Sequence, residues 1–197
     1  MRISKITASA LALLTLAGLV IRIYLHQESG KSLLEAFSFL YQFFTIWSNT
    51  LVFIVFALFA CGRAPHRLVI LMSTVAIMGV GIIFHTLLSS PANQQGLDLL
   101  ANLITHTFIP ILTFLWWAGF QSQHYFAWQD AIAGIFFPAI YCVYALVRAE
   151  YSGFYPYPFI DLEKLGAAGL IKSIFIISLA FLILGLCLVT ISKLRNR

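Results

Sequence analysis

Six uninterrupted apolar runs constrain this chain more than any other feature: Ile6 to Leu25, Phe37 to Phe59, Leu68 to Leu88, Leu99 to Phe120, Phe126 to Val147 and Leu170 to Ile191. A hydrocarbon core about 30 Å thick takes about 20 helical residues per crossing, so each run is long enough to span a bilayer. Backbone in lipid must satisfy its own hydrogen bonds, which leaves helices or closed barrels, and barrels read as short alternating segments. Only 10% of the 197 residues are charged and 61% are hydrophobic, against roughly 25% charged in a soluble domain. The expected fold is all-α: a polytopic membrane protein in which residues 1–197 form one domain, a bundle of six transmembrane helices. No residues are left over for a separate soluble domain.

The connections carry polar and turn residues, among them His26 to Lys31, Gly62 to Arg67, Ser89 to Gly96, Gln121 to His124 and the long stretch from Arg148 to Gly169. Arg2 and Lys5 ahead of the first run resemble the start of a signal peptide, but no small-residue cleavage site follows and Arg22 stands where one would be. The run is therefore read as a retained first helix. Alternating sides from a cytoplasmic N-terminus gathers Arg2, Lys5, Arg63, Arg67, Lys193, Arg195 and Arg197 inside, with Asp130 the one acid there. Both termini are thus expected in the cytoplasm. The net charge of +5 follows from that topology, and no basic patch with interleaved aromatics points to nucleic acid. Cys61, Cys142 and Cys187 lie on three different runs with no paired spacing, so neither a disulfide framework nor a metal site is expected.

Polar groups inside a span are costly unless paired, which makes them the first functional candidates. Thr45, Ser48 and Asn49 share one face of the second span, at i, i+3 and i+4, and Asn102, Thr105 and His106 repeat the spacing in the fourth, with Pro110 one turn on to loosen the ladder. At 1.5 Å per residue Thr45 falls about 9 Å along a span starting near Phe39 and His106 about 10 Å along one starting near Leu99. A hydroxyl and an imidazole at similar depth can meet if the two helices are neighbours. His85 lies one turn from the outer end of the third span, and Arg22 and Arg148 close the outer ends of the first and fifth. Plainer roles exist for each: threonines bond their own preceding turn, asparagines tie helices together, and arginines snorkel to headgroups. The run Tyr155-Pro156-Tyr157-Pro158-Phe159-Ile160-Asp161 is either an interfacial aromatic belt or a stiff flap over the pocket mouth, with Asp161 in reach of an Arg or a His.

Phe44-Thr45-Ile46-Trp47-Ser48-Asn49, Thr105-His106-Thr107-Phe108-Ile109-Pro110 and the Tyr-Pro-Tyr-Pro run, set in six apolar spans, resemble bacterial relatives of the androgen-induced gene product family. That family includes integral-membrane threonine hydrolases of fatty acid esters of hydroxy fatty acids. The resemblance implies a bacterial cytoplasmic (inner) membrane, membrane lipids as surroundings, a lipid ester as substrate, and no cofactor. It also implies Thr45 as nucleophile and His106 as its base.

A threonine hydroxyl needs a base within about 2.6 to 3.2 Å, which a neutral His106 would supply. Ser48, Asn49 and Asn102 are the oxyanion candidates by helix face, His85 or Asp161 would orient His106, and Arg22 or Arg148 would hold a head group. Two other readings compete: a b-type haem protein with His85 and His106 as ligands, and a non-enzymatic lipid transporter or binding protein.

Overall fold

The computed structural model describes residues 2–88, 94–122 and 124–196. Ser89 to Asn93, the first part of the expected break Ser89 to Gly96, lie outside them, as do Met1, Gln123 and Arg197. All regular structure among the described residues is helical. Helix α1 covers Arg2–Glu28, α2 Leu33–Leu40, α3 Phe44–Ala60 and α4 Arg67–Ile83, the last running on into a π turn at Phe84–Leu88. Then come α5 (Gly96–Leu103), a second π turn (Ile104–Phe108), α6 (Ile109–Phe120), α7 (Ala133–Ser152) and α8 (Leu162–Arg195). Short 3₁₀ turns precede α7 and α8.

Five of these units are long and apolar enough to cross a membrane, with α5, the second π turn and α6 counting as one. A sixth appears if α2 and α3 are taken together, and here the structure corrects the sequence reading. The run Phe37 to Phe59 is not one straight helix: α2 and α3 meet at a bend of 100°. No glycine or proline stands at the break. Side chains from elsewhere serve the backbone groups it frees, as backbone cut off from water requires. Trp47 Nε1 donates to the Tyr41 carbonyl at 2.9 Å, Tyr141 Oη donates to the Gln42 carbonyl at 2.6 Å, and the Phe44 N–H donates to Tyr157 Oη at 2.9 Å. A capping box of Ser32 and Glu35 starts α2. Thr45 therefore lies at the second position of a helix, not several turns inside one.

Helix α4 is the hub, packed against α3, α6, α7 and α8. Small residues allow the close approaches. A Cβ on Gly79 would stand 2.3 Å from the Phe181 ring, and one on Gly81 would stand 2.9 Å from Pro110 and 3.3 Å from the His106 carbonyl. Gly18 of α1 meets the same π turn, where an added Cβ would stand 2.7 Å from Ile104 and 3.2 Å from Thr105. The turn that carries His106 is thus clasped between two glycines. Residues near both chain ends share one end of the bundle: Trp116 Nε1 bonds Thr7 Oγ1, and Arg195 bonds the Ala118 carbonyl and Ser122 Oγ. Arg67 and Asp130 pair at that end, 3.4 Å apart.

Candidate active site

Thr45 Oγ1 and His106 Nε2 are 3.1 Å apart. Two local features bring them together. The start of α3 presents Thr45, and Pro110 shapes the turn that presents His106. Ile109 N–H reaches back five residues to the Ile104 carbonyl, and in that register the Thr105 carbonyl would be served by residue 110. Proline has no N–H to give. Asn49 supplies the missing donor: its Nδ2 bonds the Thr105 carbonyl at 3.3 Å and the Thr45 carbonyl at 2.8 Å. One buried carboxamide thereby ties the two site helices together, and π turns of this kind are frequent at functional sites.

The neighbours of His106 fix its tautomer. Nδ1 lies 3.2 Å from the Asn102 carbonyl, which can only accept, and 3.1 Å from Thr105 Oγ1. Thr105 already donates its own proton to the Ala101 carbonyl at 2.8 Å, so it too accepts from the ring. Nδ1 therefore carries the proton, and Nε2 is a lone pair facing Thr45. Phe84 stacks on the imidazole with centroids 4.0 Å apart and holds its plane.

Two cavities meet at Thr45. An inner one of about 270 Å³ is apolar, lined by Val80, Ile83, Pro138, Cys142, Ile177 and Phe181 among others. An outer one of about 570 Å³ is lined in part by Arg22, His26, Phe43, Asp98, His106 and Pro156. Thr45, Phe84, Leu88 and Tyr157 border both. A polar-rimmed mouth and an apolar chamber joined at a hydroxyl suit a substrate with a reactive polar centre and an apolar tail.

The remaining sequence candidates sort by what they touch. Arg22 lines the mouth, paired with Asp98 at 2.7 Å and reaching Asn102 Oδ1 at 3.4 Å. Arg148 does not line it and bonds Ser38 instead. Ser48 is fully buried with no partner for its hydroxyl and borders neither cavity. Asn49 is committed to two carbonyls, and the Asn102 amide bonds Gln94 Oε1 at 2.6 Å. None of these three side chains points a free donor at Thr45. Neither expected orienter of His106 performs that task. His85 bonds Thr107 Oγ1 at 3.0 Å in a groove that His106 also borders, and Asp161 caps α8, accepting from the Lys164 N–H at 3.1 Å. The Asn102 backbone carbonyl and the Phe84 ring hold the imidazole, and no side-chain pattern could have announced a carbonyl. The flap expectation is met in part. Pro156 and Tyr157 border the mouth, but Asp161 reaches neither an Arg nor a His.

Among the described residues no group of three or more His, Cys, Asp or Glu is placed to hold a metal ion. No family model, no curated protein and no solved structure matches this chain.

Proposed function

We propose that this chain is an intramembrane hydrolase of lipid esters, with Thr45 as nucleophile and His106 as general base. The observation that carries the reading is the 3.1 Å approach of Thr45 Oγ1 to the unprotonated Nε2 of His106, at the junction of an apolar chamber and a mouth that carries Arg22, His26 and Asp98. His106 takes the hydroxyl proton as Thr45 attacks the ester carbonyl. The ester C–O bond then breaks and the leaving alkoxide receives that proton from His106. Water entering through the mouth hydrolyses the acyl-threonine and restores the pair. The inner chamber holds the acyl chain, and the Arg22–Asp98 pair marks where a polar end of the substrate would lie. By its resemblance to the threonine hydrolases the substrate class is fatty acid esters of hydroxy fatty acids or similar lipid esters.

The membrane setting is part of the proposal. Large apolar side chains such as Leu13, Ile111, Leu115, Phe136, Ile171 and Phe175 are exposed around the bundle, a surface that suits lipid and not water. With α2 and α3 as one bent crossing the chain spans six times, in a bacterial cytoplasmic membrane with both termini in the cytoplasm.

Labelling with a fluorophosphonate probe tests the reading, on purified wild type, Thr45→Ala and His106→Ala whose folding has been checked by thermal unfolding. Wild type is expected to label, Thr45→Ala to show none, and His106→Ala to label at least a hundredfold more slowly. An unlabelled wild type, or a folded Thr45→Ala protein that labels equally, overturns it. Retained lipid without turnover would then favour a lipid carrier.

A further inference from the structure

The hydrolase reading, on which this inference rests, requires a donor for the oxyanion, and the side chains expected to provide one are occupied or turned away. Tyr157 is different. Its hydroxyl accepts the Phe44 N–H at 2.9 Å and lies close to the hydroxyls of Thr45 and Tyr141, of which Tyr141 gives its own proton to the Gln42 carbonyl. An oxygen that accepts on one side keeps its own proton for a partner on the other. The residue borders both cavities at their junction, yet is only 8% exposed. We propose that the Tyr157 hydroxyl is the oxyanion-hole donor of this site, anchored on the first amide of α3 and aimed at the carbonyl oxygen of a bound ester.

The sequence around Tyr157 explains its rigidity. A residue between two prolines is pushed to extended backbone, and Tyr157 has φ −138° and ψ 139°. Its ring stacks on Phe159 with centroids 5.0 Å apart and meets Phe43 and Tyr141 edge-on at 6.3 Å. Donors fixed in advance of the reaction are what oxyanion stabilisation needs, because no reorganisation is then required as charge develops. Burial pushes the phenol pKa up, so the group stays protonated and donates a hydrogen bond without giving up its proton. The positive end of the 17-residue α3 points at the same place. As the Thr45 Oγ1 to carbon bond forms, the carbonyl π pair moves onto oxygen and the Thr45 proton passes to His106. Tyr157 holds that oxygen until the C–O bond to the leaving group breaks and the carbonyl re-forms.

Tyr157→Phe tests the assignment, assayed on a p-nitrophenyl acyl ester in detergent micelles. The variant is expected to lose about 10² to 10³ in kcat with KM changed less than about threefold. Its affinity for a trifluoromethyl ketone of the same chain length, which Thr45 attacks to form a tetrahedral oxyanion, should fall in step with kcat/KM. Its affinity for the unreactive methyl ketone should hold. Replacing Tyr157 with 3-fluorotyrosine keeps the hydroxyl and should restore turnover, which also guards against a misfolded phenylalanine variant. Turnover at the wild-type rate in folded Tyr157→Phe overturns the assignment alone, as does equal loss of both ketones or failure of the fluorotyrosine protein to recover. A wild type that neither labels nor hydrolyses overturns the hydrolase reading as well.

Discussion

The Asn49 carboxamide offers a test of how the site is held that is independent of any activity. Asn49 is fully buried and makes two bonds, to the carbonyls of Thr45 and Thr105. Asn49→Ala leaves the Thr105 carbonyl without a donor because residue 110 is proline, and a buried acceptor stripped of its partner costs about 1–3 kcal/mol. Two effects reduce that. Asn49 Oδ1 has no partner of its own, so deleting it removes one buried unsatisfied atom. Hydrogen bonds between membrane helices also average about 0.6 kcal/mol with a maximum near 1.7. A loss of about 1–2 kcal/mol is expected. Pro110→Ala returns an N–H to the turn, and in either the α or the π register the Thr105 carbonyl then finds a donor within its own helix. The cost of Asn49→Ala should fall by about 1 kcal/mol in that background, well above the 0.3–0.5 kcal/mol within which independent sites add. Equilibrium unfolding in mixed micelles of wild type, both single variants and the double variant reads the coupling. If the two substitutions add within that margin, Asn49 is not replacing the proline's missing donor.

Gly81 should tolerate no side chain: alanine there would place its Cβ 2.9 Å from Pro110, and overpacking of this kind costs about 1–3 kcal/mol. Gly119→Ala, which meets nothing within 4 Å, is the matched control; unfolding curves that coincide for the two variants would refute the clasp around His106. At the other end of the site, burial of Asp161 opposes ionisation, but hydrogen bonds and charge from Lys164 outweigh it and hold the carboxyl below its ordinary 3.8. A depressed folded pKa means the stabilisation of the α8 start is present above the unfolded value and lost as pH falls through the folded one. Wild type should therefore lose stability relative to Asp161→Ala as pH falls through and below the ordinary carboxylate range, and unfolding curves that stay parallel through that acid limb would refute the cap.

The helices were legible in the sequence because a segment of about 20 apolar residues carries its own signal, whereas the pairing of Thr45 with His106 was legible only as a condition, since matching i, i+3, i+4 faces on two spans meet only if the helices are neighbours. What could not be read is the break at Tyr41 to Phe43. Apolar residues predict burial but not continuity. Continuity is decided by whether other elements can serve the carbonyls and amides a break sets free, and here Trp47, Tyr141 and Tyr157 do so from up to 113 positions away in the chain. The same break places Thr45 at a helix N-terminus with a phenol against the first amide, so the unreadable feature and the most informative feature of the site have one origin. Asn102 makes the complementary point. Its side chain was the visible candidate, while its backbone carbonyl is the group that orients the base, and every residue in the chain offers the same carbonyl. The turn that carries His106 brings this carbonyl to the ring, and Pro110, a residue the sequence did flag, shapes that turn through a hydrogen bond it cannot make.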